Sequence, residues 1–197
     1  MEILTGAGLA ASSGLNAYIP LLVLGLLDRF TDLVHLPPGF AWLSNGWVLV
    51  ILGVLLVLEV VADKIPAVDT VNDWIQTLVR PTSGGIVFGA GSASQTATVT
   101  DPASFFTSQQ WVPIVVGVVT ALAVHIVKAT ARPVANAASL GTAAPVLSTA
   151  EDASAIALSV AAVLLPVLVL VVLVVAAVGL GLLYRGFRRR RRARAAA

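Results

Sequence analysis

The sequence predicts an all-α, polytopic transmembrane helical bundle. Of its 197 residues, 58% are hydrophobic and 11% charged, and the mean hydropathy is +0.95. A soluble domain carries about 25% charged residues. Long apolar stretches reach the length of about 20 residues that a bilayer-crossing helix needs. The few charges gather at the ends of those stretches. The expected layout is four strong spans plus two weak segments that are broken or re-entrant, with a candidate internal repeat. Residues 1–184 form one transmembrane domain and 185–197 a basic cytoplasmic tail.

The first strong span covers residues 3–27. Gly6, Ala10 and Gly14 recur every four residues, a small-residue stripe that lets another helix approach closely. Asn16, Tyr18 and Pro20 follow. Pro20 lacks a backbone N–H, so a kink or break is expected there. A carbonyl freed beside Asn16 would line a cavity or be taken up by a neighbouring helix. The N-terminus, MEILTGAGLA, has no basic region and does not read as a cleaved signal peptide.

Residues 28–46 are a loop carrying His35, and Trp42 and Trp47 suit an interfacial belt. The second span, 47–62, runs into EVVADKIPAVDTVNDWIQTLVR, residues 59–80. Glu59 and Asp63 share a helical face, Lys64 follows, and Pro66 stops the helix. Asp69, Asn72 and Asp73 lie opposite Val68, Val71, Trp74, Ile75 and Leu78, which predicts an amphipathic helix at the interface, closed by Arg80-Pro81. Ionisable groups at membrane depth are usually paired, interior-facing and functional.

Residues 82–99 are the first weak segment, uncharged and rich in Gly and Ser. Residues 112–127 are the third strong span. His125, Lys128 and Arg132 recur on one face, and Pro133 is expected to end that helix. Residues 134–149, including Asn136 and Ser148, are the second weak segment. Glu151 and Asp152 then open the last apolar run, Ala153 to Tyr184. At about 48 Å as a helix it exceeds a bilayer core of about 30 Å, so it must tilt, protrude or bend at Pro166. Both central spans end in charges, a proline and an Asx residue three positions on (Pro66 and Asp69, Pro133 and Asn136). Paired interrupted segments of this kind point to transporter-like sites.

Seven of the twelve basic residues lie between Arg185 and Arg194. The positive-inside rule puts that tail in the cytoplasm. Six crossings then leave both termini inside, with Lys64, Arg80, Lys128 and Arg132 on the cytoplasmic side. The tail would also bind anionic lipid headgroups. There is no cysteine, which excludes disulfides and thiol chemistry.

The motifs EVVADKIPAVD, VRPTSGG, HIVKATARPVAN and LSTAEDASAI resemble a bacterial family of small integral membrane proteins classed as a domain of unknown function, number 4126. The resemblance runs from about Gly8 to Pro166 and is carried by Gly14 to Pro20, Glu59 to Asp69, Arg80-Pro81, His125 to Arg132 and Ser148 to Asp152. It implies a bacterial inner-membrane location and this choice of residues. Where this chain has Asn16, the family pattern commonly has a basic residue. The resemblance implies no activity.

Three functions fit this inventory. A transporter or flippase for a small or lipid-linked anion would use Glu59, Asp63, Lys64, Asp69, Arg80, His125, Lys128, Arg132 and Asn136 as substrate or proton-relay groups. Asn16, Tyr18, Ser148, Glu151 and Asp152 would line the cavity. Lys128, Arg132 and Arg80 suit a phosphate or carboxylate, and Glu59 and His125 suit proton relay. The same residues would otherwise be ion pairs clamping a scaffold, with a homo-oligomer as one outcome. A lipid-headgroup enzyme is a weaker match: Glu59, Asp63, His125 and Asp152 form no metal-binding motif, and Ser148 sits in no nucleophile elbow. No catalytic residue, cofactor, metal or nucleic acid is expected.

Overall fold

The described apolar stretches fold as helices, broken at Asn16 and before Pro66 and Pro166. The computed structural model describes residues 2–92, 111–139, 142 and 144–175. Its α-helices are α1, Glu2–Leu15; α2, Tyr18–Phe30; α3, Gly46–Ala62; α4, Pro66–Ser92; α5, Trp111–Ala138; α6, Ala144–Leu164; and α7, Pro166–Val175. A 3-10 turn, Ala41–Ser44, precedes α3. Among the described residues there is no β-strand.

The first span is not one helix. The break falls at Asn16 and Ala17, before Pro20 rather than at it. Asn16 Oδ1 accepts the backbone N–H groups of Tyr18 (3.0 Å) and Ile19 (3.2 Å). An Asn at a helix start stabilises it in this way. Ile19 N–H, thus captured, cannot bond the carbonyl of Leu15, and α1 ends. After the break α2 leaves α4 and turns back. Gly25 packs on Leu43, and Phe40 reaches Gly89 at the end of α4 that also meets Gly6 of α1. α1 and α2, of 14 and 13 residues, therefore form a hairpin with Asn16 at its tip. Each arm is about 20 Å long.

Two prolines do not end helices as expected. Pro81 lies inside α4 and Pro133 inside α5. The amphipathic stretch from Pro66 and the weak segment after Arg80 are one helix of 27 residues. Packing on α1 and α5 keeps α4 helical through its proline, as neighbouring helices allow. Residues 134–149 are the end of α5, a turn and the start of α6. Pro66 opens a helix and Pro133 sits within one, so the two halves of the suspected repeat differ. The break at Pro166, between α6 and α7, is where the long last run was expected to bend. The 93–110 part of the first weak segment and its loop, and the arginine tail, lie outside the described residues.

The centre of the bundle is α1, α4 and α5, drawn together by glycine. A Cβ on Gly14 would stand 2.6 Å from the Ala121 carbonyl oxygen; one on Gly84 would stand 2.8 Å from that of Gly117. The Gly6–Ala10–Gly14 stripe is shared: Gly6 faces Phe88 of α4 and Gly14 faces α5. Gly8, on another face, meets Ala162 and Val169. α6 runs antiparallel to α1, pairing Ser12 with Ser159 (2.7 Å) and Asn16 with Asp152 (2.9 Å).

The outer surface is apolar. Val54, Val57, Leu58 and Val61 of α3 and Trp74, Ile75 and Leu78 of α4 are exposed, as is most of α7. An exposed apolar surface this extensive marks a protein or membrane contact. Among the described residues two helices are long and apolar enough to cross a membrane, Trp111–Ala135 and Ala144–Leu164.

Candidate functional site

The interior holds a charge cluster assembled from four helices around the hairpin tip. α3 brings Glu59 and, at its end, Asp63. α4 brings Arg80, α5 brings His125, Lys128 and Arg132, and α6 brings Glu151 and Asp152. The i, i+3, i+7 spacing on α5 puts its three groups on one inward face.

Asp63 is the hub. Its Oδ2 lies 3.1 Å from Arg132 Nη2, 3.4 Å from Lys128 Nζ and 3.8 Å from Arg80 Nη2. Its Oδ1 accepts from Asn72 Nδ2 at 2.9 Å. Arg80 donates to Glu59 Oε1 at 2.9 Å. Glu151 pairs with Lys128 at 3.1 Å and takes both Nε and Nη2 of Arg132. Lys128 Nζ also donates to the Leu15 carbonyl at 2.8 Å, the oxygen that the α1–α2 break leaves without a helical partner. The freed carbonyl expected beside Asn16 is therefore present and is satisfied by α5.

Beside the hub, Arg80 Nη1 lies 3.1 Å from His125 Nδ1, and His125 Nε2 lies 3.1 Å from Thr77 Oγ1. Arginine only donates, so Nδ1 is the acceptor. The ring proton is then on Nε2, donated to Thr77, whose hydroxyl donates to the Asp73 carbonyl. The chain of donors holds the imidazole neutral.

The side chains of Arg80, Glu59, Asp63, Lys128 and Arg132 are only 0–4% exposed. In this conformation they close on one another and do not line an open cavity. Burying charges without partners is prohibitive, so three bases matched to three acids is what such an interior requires. The match is incomplete: Glu59 Oε2, Arg80 Nε, Gln76 Oε1, Asp73 Oδ1 and Ser148 Oγ are buried without a hydrogen-bond partner.

Of the residues singled out from sequence, Glu59, Asp63, Arg80, His125, Lys128, Arg132 and Glu151 come together, with Asn16 and Asp152 adjoining. Tyr18 stands half-buried beside Gln76. Ser148 is fully buried one turn before Glu151. Lys64 does not join: it is exposed, and its Nζ donates to the Val60 carbonyl. The side chains of Asp69 and Asn136 lie outside what is described. Arg80, Lys128 and Arg132 are buried rather than loop charges, so they carry no weight in the positive-inside rule, contrary to expectation. Among the described residues no three His, Asp or Glu side chains gather as a metal ion would need. Sequence reasoning missed Gln76, Thr77 and Ser83. The available signal was the polar row Asn72, Gln76, Arg80, Ser83, one helical face running from the amphipathic stretch into the first weak segment.

A family model described as "Domain of unknown function (DUF4126)" matches residues 3–185. The chain belongs to the DUF4126 family. No curated protein and no solved structure matches it. The matched region takes in all four helices that build the charge cluster of this DUF4126 chain, so the cluster belongs to the family domain and is not an appendage to it.

Proposed function

We propose that this DUF4126 chain is a multi-pass protein of the bacterial inner membrane that moves a small or lipid-linked anion. The charge cluster is its binding site. The observation that carries the reading is the meeting of Arg80, Lys128 and Arg132 at the tip of a broken hairpin, opposed by carboxylates on other helices. Discontinuous helices with ionisable groups at the break recur at transporter sites, and buried charge is a poor way to stabilise a bundle. The bases stand on α4 and α5, in the glycine-packed core. The acids stand on α3 and α6, which flank it. An anion takes the bases as protons neutralise the displaced acids.

In this reading α3, α4, α5 and α6 cross the bilayer, and α1–α2 is re-entrant from the side of the N-terminus. Both termini then share a side, and the arginine tail makes that side cytoplasmic. α6 runs from the cluster toward the tail, so the cluster lies in the far half of the bilayer. That reverses the cytoplasmic placement expected from counting loop charges.

The test is proton-coupled anion flux into vesicles holding the purified chain and a trapped pH dye. Wild type should carry anion-dependent flux; Lys128→Gln and Glu59→Gln should reduce it at least about tenfold, the scale of about 1.4 kcal/mol. Flux no greater than in empty vesicles would refute transport. A scaffold is the second reading, favoured by the near-complete closure of the cluster. It predicts an isolable complex that survives those two substitutions.

A further inference from the structure

The geometry around Asp63 points to a specific ligand class. One carboxylate oxygen, Asp63 Oδ2, lies within 3.1–3.8 Å of three cationic nitrogens from two helices. Aspartate is the shorter of the two acidic side chains, and Asp63 offers these cations a single oxygen because Asn72 holds the other. Three donors converging on one point suit a tetrahedral oxyanion, which gives each cation an oxygen of its own. Arginine forks match phosphate in this way, and lysine adds a point charge.

The helix that carries Asp63 is attached unevenly. Along α3 the buried residues are Leu49, Leu52 and Glu59. Apolar packing therefore holds its first half, and ion pairs hold its second. Gly53 sits between the halves, and nothing lies within 4 Å of where its Cβ would be. Close packing is not the reason for glycine there. A glycine inside a helix costs about 1 kcal/mol relative to alanine. What it supplies is a point of easy bending. The notch it leaves, with Val50, Val54, Val57 and Leu58, is an apolar groove of about 340 Å³ on the outer face.

We infer that Arg80, Lys128 and Arg132 form a cradle for a phosphate group, free or on a lipid. Asp63 occupies it as a tethered stand-in until the second half of α3 swings out about Gly53. The inference rests on the proposed anion site and specifies its ligand and its gate. Phosphate displaces Asp63 because it brings more charge and more acceptor oxygens to the same three donors. Glu151 stays on Arg132 and Lys128 and keeps the bases from being left unpaired while the exchange takes place.

The full chain in phosphatidylcholine nanodiscs, titrated with inorganic phosphate against chloride at equal ionic strength, tests this by thermal unfolding. Phosphate should stabilise and chloride should not. Asp63→Asn, which removes the tethered competitor, should tighten phosphate binding at least about tenfold, and Lys128→Gln should abolish it. Gly53→Ala has room for its methyl and should fold. It should weaken phosphate binding in the wild type and leave Asp63→Asn unaffected. A second set of nanodiscs containing phosphatidic acid separates the sources: stabilisation there alone means a lipid phosphomonoester, and stabilisation by free phosphate means a soluble one. No response in either set overturns the cradle. Asp63→Asn binding no tighter than wild type overturns the stand-in, and unchanged binding in Gly53→Ala overturns the hinge. Phosphate binding without flux would sink transport and leave this inference standing. Flux of other anions without a phosphate response would do the reverse.

Discussion

Replacing Arg80 by methionine keeps an unbranched, flexible side chain, shortens it and removes its charge and donors. Arg80 is fully buried and reaches Glu59 at 2.9 Å, His125 Nδ1 at 3.1 Å and Asp63 at 3.8 Å. Asp63 would keep Lys128 and Arg132. Glu59 would not be so provided: among the described residues Arg80 is the one hydrogen-bond partner of its carboxylate. Breaking a buried ion pair from one side costs about 3–5 kcal/mol, since the other charge stays buried. The acceptor left at His125 adds about 1 kcal/mol. Glu59→Leu alone should cost less, because Arg80 keeps His125 Nδ1 at 3.1 Å and Asp63 at 3.8 Å. The double variant, with both charges gone and similar volume kept, should lose far less than the sum, a coupling of at least about 2 kcal/mol. Reversible unfolding in mixed micelles, with dodecyl sulfate as denaturant and circular dichroism as readout, measures all four corners. A loss under about 1 kcal/mol for Arg80→Met, or strictly additive single variants, would refute the pairing.

Three further outcomes are expected. Gly53→Ala should stabilise the chain by about 0.5–1 kcal/mol, because it adds helix propensity in open space; destabilisation in the same unfolding assay would show a packing demand that the geometry lacks. Gly84→Ala should cost about 1–3 kcal/mol, since its Cβ would crowd the Gly117 carbonyl oxygen at 2.8 Å, and an unchanged unfolding midpoint would contradict the close approach of α4 and α5. Asn16→Ala should cost about 1–2 kcal/mol through loss of the α2 cap. Amide exchange at Tyr18 and Ile19 should then quicken; protection equal to wild type would rule out the cap.

Most of the site was legible because ionisable residues are rare in an apolar chain. Glu59, Asp63, Arg80, His125, Lys128, Arg132 and Glu151 stood out by type and by position at the ends of apolar runs. Lys64 stood out equally and yet is exposed, because α3 has ended and its side chain follows the turn outward. Gln76 and Thr77 were illegible singly, since uncharged polar residues are common at any depth. The helix breaks misled for a related reason. Proline is read as a breaker, yet Pro81 and Pro133 lie within helices, held there by packing that no local signal records. The actual break before α2 is made by the side chain of Asn16, which competes for two backbone donors.

The sequence by itself determined the helical class, the apolar exterior and the inventory of buried charges, because composition and periodicity decide what a segment can bury. Only the tertiary structure decided that α1 and α2 fold back as a hairpin. It alone decided that Lys128 fills the carbonyl this frees, and that three cations share one oxygen of Asp63. Such meetings join residues up to 113 positions apart, as for Lys128 with Leu15. Their register depends on how closely glycine lets α1, α4 and α5 approach. Charge in a sequence shows that a partner is needed; the packing of the helices selects which one.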